Sequence, residues 1–233
     1  MVKLVLLSLL CAALTAGSPN PFEKRTPFKE ATLHYTLSGA TRGTSTLYVK
    51  EYGKYLAEYE RSRMNLFGMG TKAHKLTLST PDWIYTIDLN AKTGSKVANI
   101  EKYMQQEYAK LTPKEQKRVR RNARKTGTNV SHGLGGSVKF NAAMIKGYSC
   151  DKTTILGITS YTIHNTALVL KLDGTIMGMK IHKEITAINK GAVDSSRFTI
   201  PDDIVITYDP HSEATMQEQA AQMMQMLLHP TKR

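Results

Sequence analysis

From Ala31 to Leu89 apolar and polar residues alternate one by one, in short runs separated by turn residues. Leu33, Tyr35 and Leu37 alternate with Thr32, His34 and Thr36. Tyr55, Ala57 and Tyr59 fall opposite Glu58 and Glu60, and Leu76 pairs in phase with Leu78. Trp83, Tyr85, Ile87 and Leu89 alternate with Thr86 and Asp88. Successive strand side chains point to opposite faces, so this period places one apolar and one polar face on each strand. The breaks fall at Gly39, Tyr52-Gly53, Gly68–Gly70, Pro81-Asp82 and Asn90–Gly94. Such spacing predicts a meander of antiparallel strands.

The period then changes. Ile100, Met104, Tyr108 and Leu111 stand at helical spacing. Thr112-Pro113-Lys114-Glu115 reads as a helix start, with Thr at the cap, Pro first and Glu third. This predicts a helix over about 113–124, followed by a polar, Gly-rich loop from Asn122 to Ser137. Strands resume at Ala143, with runs at Lys146–Lys152, Ile158–His164, Ala167–Leu172 and Ile176–Asn189. Asp173-Gly174 is read as the hairpin turn between the last two. Short extended pieces follow at Phe198–Pro201 and Ile204–Thr207. Asp209-Pro210 opens a last helix whose stripe is Met216, Ala220, Met223, Met224 and Leu227, ending before Pro230. The expected fold is mainly β: a curved antiparallel sheet or unclosed barrel, 29–207, covered by helices inserted near 99–124 and added at 208–233. A sheet of that size must curl or be covered.

Residues 1–16 carry the secretory pattern: Lys3, an apolar run from Leu4 to Leu10, then Ala16, Gly17 and Ser18. Cleavage after Ala16 or Gly17 predicts a periplasmic or secreted protein. Lipidation of Cys11 is the rival, but Leu10 is a poor residue before such a site. Pro19, Pro21 and Pro27 make 17–28 an extended arm. Removal of the leader leaves Cys150 as the one cysteine, read as a small buried apolar residue.

The formal charge is +13, and segment 110–125 concentrates it, with eight Lys/Arg against the single acid Glu115. Lys117, Arg118, Arg120, Arg121 and Arg124 are the candidate contacts for an anionic membrane surface or acidic envelope protein. An exported location argues against nucleic acid. Catalytic signatures such as Gly-x-Ser-x-Gly or His-Glu-x-x-His are missing, and no cofactor or metal is expected. His164 and His182 could meet on neighbouring strands but need a third ligand to hold zinc. Ser131–Ser137 lacks the Lys-Ser/Thr ending of a phosphate loop, and Asn129-Val130-Ser131 is a glycosylation triplet that matters only in a eukaryote.

Three phrases carry a family resemblance: Gly43–Val49 running into Glu51-Tyr52-Gly53, Trp83–Asp88, and the long strand ending in Phe198-Thr199-Ile200-Pro201. Over about 29–207 the chain resembles the LolA-like periplasmic lipoprotein carriers. The resemblance implies a half-pipe sheet whose concave face holds acyl chains or another apolar ligand. On that reading Tyr35, Tyr48, Trp83, Tyr85, Met177 and Met179 are the candidate ligand contacts, and the protein is not an enzyme. The alternative is an envelope interaction module that takes a peptide or partner helix on the same face. The basic helix and the Met-rich terminal helix are additions to the simplest carrier.

Overall fold

The computed structural model describes residues 20–22, 26–66, 69–133, 136–176 and 178–230. For 65, 66, 69 and 124–133 it describes the backbone alone. The leader 1–16 and Met177 lie outside the described residues.

Six strands come first: β1 (Ala31–Gly39), β2 (Thr41–Lys50), β3 (Tyr55–Leu66), β4 (Met69–Ser79), β5 (Trp83–Asp88) and β6 (Thr93–Ala98). Helices α1 (Ile100–Ala109) and α2 (Pro113–Gly133) follow. A second meander then runs through β7 (Ser137–Ile145), β8 (Tyr148–Ile155), β9 (Ile158–Ile163), β10 (Val169–Ile176) and β11 (Met179–Lys190). The chain closes with β12 (Val205–Tyr208) and α3 (Ser212–Leu228). The two meanders join where β1 pairs with β11, giving one sheet of twelve strands in the order β12-β6-β5-β4-β3-β2-β1-β11-β10-β9-β8-β7. Its end strands, β12 and β7, do not pair with each other, so the sheet is unclosed. β12 lies parallel to β6, which makes the sheet mixed rather than purely antiparallel.

The cores are arranged in a way that alternation alone did not predict. Across the first meander Tyr48 pairs with Ala57, Ala57 with Leu78, and Leu78 with Tyr85. Beside that row Tyr59 pairs with Leu76 and Leu76 with Ile87. Cross-strand partners share a face, so these residues form one apolar surface. On β1, β2 and β11 the buried residues lie on the other face: Leu33 pairs with both Leu47 and Ile188, and Ala31 with Val49. The apolar side of the sheet therefore inverts across its width, and β2 serves both cores with adjacent residues Leu47 and Tyr48. Where the inversion occurs, the face of Leu33 and Leu47 turns polar, with Ser45 and Lys183 meeting Glu58.

The helices cover one flank. Asn99 caps α1 by accepting the Glu101 N–H at 3.1 Å. At α2 the Thr112 N–H and hydroxyl donate to Glu115 at 2.9 and 2.6 Å, the capping box that the sequence predicts. Helices α1, α2 and α3 bury Ile100, Tyr103, Met104, Val119, Ala220, Met224 and Leu227 together, against Ala98 of β6. The α3 stripe is thus core. α2 also reaches β7 and β8, so it bridges the helical layer to the far meander.

Three expectations are corrected. α2 runs on to Gly133, through residues read as a loop from Asn122 because their Gly and Ser lower helix propensity. The second meander starts at Ser137, and Lys146-Gly147 is a turn. Asp173-Gly174 sits inside β10, since β10 runs on to Ile176, which pairs with Met179, and Gly178 is the described turn residue. A Cβ on Gly174 would lie 2.8 Å from the Gly157 carbonyl oxygen and the Ile158 Cα, so this glycine admits the neighbouring strand. The N-terminal arm is anchored by its aromatic residues. Phe22 packs on Tyr108 in the helical core, and Phe28 on Tyr148 in the second-meander core.

Candidate ligand face and basic helix

The apolar surface of β2–β6 is covered by the stretch between β11 and β12, which we call the strap. Phe198, Ile200 and Ile204 of the strap, with Ile206 of β12, pack against Ala57, Leu76, Leu78 and Ile87, with Tyr48, Tyr59 and Tyr85 around them. The strap is fixed firmly at its ends. Before it, Gly191 N–H donates to the Glu30 carbonyl and Val193 N–H to the Glu30 carboxylate at 2.7 Å. After it, β12 pairs with β6, and Lys92 meets Asp203 at 2.8 Å. Between those clamps the backbone bonds of 194–204 stay local: Arg197 to Asp194, Thr199 to Ser196, Ile204 to Pro201. Side chains hold the middle. The Tyr59 hydroxyl donates to the Arg197 carbonyl at 3.1 Å, and Lys50 donates to the Ser195 hydroxyl at 2.7 Å.

Cations rim this face. Arg197 lies 5.1 Å from the Tyr48 ring centroid, Lys50 5.9 Å from that of Phe198. Lys96 lies 4.2 Å from Trp83 and 4.9 Å from Tyr208. Burial pushes the Tyr59 phenol up, which keeps it a hydrogen-bond donor.

The five predicted ligand contacts among the described residues divide between sites. Tyr48, Trp83 and Tyr85 share the strap-covered face, Trp83 at its helical end beside Ala98. Tyr35 faces the opposite core, 2% exposed, and donates to the Val169 carbonyl at 3.0 Å. Burial, then the Glu58 carboxylate, push its phenol far above the usual tyrosine range. Met179 lies at the far end of β11, paired with Ile176. Tyr59, Phe198, Ile204 and Ile206 belong to the covered face and were missed. Tyr59 was legible by parity with Ala57; the strap residues, remote in sequence, were not.

His164 and His182 do not meet, since β10 separates their strands. His164 Nδ1 lies 2.7 Å from Asp151, and His182 pairs with Asp173 and Glu184. Cys150 is buried, and burial pushes its thiol up, away from the reactive thiolate. A polar cleft of about 510 Å³ opens between the Glu51–Gly53 turn, Pro81-Asp82 and α1. It holds the Lys102–Asp82 pair at 2.7 Å, Gln105 and Gln106, beside Tyr55, Pro81 and Ala109.

On α2, Val119, Asn122 and Ala123 turn inward, and Asn122 donates to the Leu227 carbonyl at 2.7 Å. Arg120 is drawn to that side, donating to the Tyr108 hydroxyl at 2.9 Å. Lys114, Lys117 and Arg121 are exposed and Arg118 half-buried. The Arg124 side chain lies outside the described residues.

No family model matches the sequence, and no curated protein matches it. Solved structures align at low identity. An uncharacterised conserved protein from Thermus thermophilus aligns at 7% identity and a TM-score of 0.43, over 76% of this chain and 90% of that one. PNGF-II aligns at 13% and 0.36, over 82% of this chain but 33% of that one. LprF from Mycobacterium bovis aligns at 9% and 0.31, over 86% and 98%. At these scores the alignments assign no function, and the likeness to lipoprotein carriers rests on the sequence phrases above.

Proposed function

We propose that this chain is an exported, non-enzymatic binding protein for an amphiphile, an apolar chain with an anionic head. One observation carries the reading: the aromatic face of β2–β6 is covered by a single strap clamped at its ends and held in the middle by side chains. A thin cover over Tyr48, Tyr59, Tyr85 and Leu78 can be exchanged for a ligand chain at little backbone cost. The cations Lys50, Lys96 and Arg197 stand where a carboxylate or phosphate head would emerge. The export pattern at 1–16 supports an extracytoplasmic place of work. No nucleophile–base pair is asked for by this reading, because binding and release are the whole task.

The test is extraction and mass spectrometry of protein purified from its native envelope, followed by titration of the stripped protein with a fluorescent fatty acid. Trp83 is the only tryptophan and borders the face, so its emission reports occupancy. A co-purifying lipid and a saturable Trp83 response are expected. No lipid and no saturable binding, in the wild type and in the strap-loosened Ile200→Ala/Ile204→Ala variant, would overturn the proposal. Recovery of a bound peptide instead would replace it with an envelope interaction module.

A further inference from the structure

The cations of α2 sort into two sets once the helix is packed. Just before α2, Lys110 is taken by Glu107 at 2.5 Å; on α2, Arg120 is taken by the Tyr108 hydroxyl. Of the α2 cations whose side chains are described, Lys114, Lys117, Arg118 and Arg121 remain, at spacings of three, four and seven from the first. Residues so spaced share one helix face. It is the face opposite Val119, Asn122 and Ala123, which bury against α1 and α3. The nearest acid in sequence, Glu115, is held by Thr112, and among the described residues none of the four cations forms a salt bridge.

We infer that this four-cation stripe docks the protein on the anionic headgroups of a lipid bilayer. The inference does not depend on what the strap covers. A tight protein partner is gripped through buried aromatic or aliphatic anchors, and this face presents none, its apolar residues being turned inward. A headgroup layer needs only charge spread along a line, which a straight helix face supplies. Each Lys or Arg near such a surface strengthens binding roughly fivefold, so four together give on the order of several hundredfold. Mutual repulsion of unpaired cations on one face is relieved by the same contact.

The assay is co-sedimentation of the lipid-stripped full chain with vesicles of phosphatidylcholine alone or mixed with phosphatidylglycerol. Binding to the mixed vesicles, absent on neutral ones and lost with added salt, is expected. Lys114→Gln/Lys117→Gln/Arg118→Gln/Arg121→Gln should reduce it at least a hundredfold while leaving the circular dichroism and fatty-acid titration unchanged. Arg42→Gln/Arg63→Gln/Lys72→Gln/Lys180→Gln removes the same charge from exposed strand positions and should retain most of it. The exchange Lys114→Arg/Lys117→Arg/Arg118→Lys/Arg121→Lys should bind as the wild type and guards against a folding defect. Equal loss in the strand and stripe variants, or no binding of wild type to anionic vesicles, would overturn the inference.

Discussion

Removing one hydroxyl should loosen the strap without loosening the sheet. Tyr59→Phe deletes the 3.1 Å bond to the Arg197 carbonyl and leaves the ring packed between Tyr48 and Leu76. A hydrogen bond of this kind is worth about 1 kcal/mol net, so the equilibrium for lifting the strap should shift about fivefold. The other holds are of similar size. Phe198, Ile200 and Ile204 are half-buried, each contributing about 1 kcal/mol, half the value for full burial. The cation over Tyr48 adds about 0.5–1 kcal/mol at an exposed site. Opening of the strap should therefore cost about 4.5–5 kcal/mol, which protects its amides by about a few thousandfold. Hydrogen exchange reads this directly. The amides of Arg197, Thr199 and Ile204, bonded only within the strap, should exchange far faster than those of β2 and β3. In Tyr59→Phe they should speed up about fivefold while β2 and β3 stay unchanged. Strap amides as slow as the sheet in the wild type would refute the reasoning. So would a uniform acceleration in the variant, because the strap would then unfold only with the whole domain.

Three further outcomes are expected. Lys183→Met should destabilise by about 1.5–3 kcal/mol in urea titration, because Glu58 would lose its cation in a half-buried seam; Glu58→Gln, which keeps the Ser45 bond, should cost less. Gly174→Asn should be severely destabilising by thermal melt and Gly178→Asn mild, because a Cβ at 174 meets backbone at 2.8 Å while at 178 nothing lies within 4 Å and Asn tolerates its φ of +80°; the reverse order would restore the turn to Asp173-Gly174. The Thr112 hydrogen bonds hold the Glu115 carboxyl below its usual range. Its contribution is then present above the unfolded carboxyl value of about 4.3 and lost as pH falls through the lower folded value. The first-turn amides of α2 should exchange faster below about pH 4 in the wild type, with no such change in Glu115→Gln.

What the sequence yielded was whatever neighbours along the chain decide. Alternation placed the strands of the first meander, and Thr112-Pro113-Lys114-Glu115 placed the start of α2 to the residue. The misread features are set by distant partners. Gly174 looks like a turn residue until β9 is laid beside it, when its missing side chain becomes the condition for close pairing. Residues 125–133 look like a loop, yet α2 runs on through them, and the helix reaches β7 and β8. Parity told which residues share a face, yet not which face would be buried. Leu47 and Tyr48 are consecutive and both apolar, a local break in the polar–apolar rhythm of their strand. That break marks the point where the sheet changes its buried side. The inversion has a functional consequence. A half-pipe lined on one face would have put Tyr35 and Tyr85 against the same ligand. Two cores on opposite faces instead leave the β2–β6 face with only a strap for cover, while Tyr35 sits in the core of the other. If a ligand is held, the site is therefore the half of the sheet whose cover is shortest and least bonded to it.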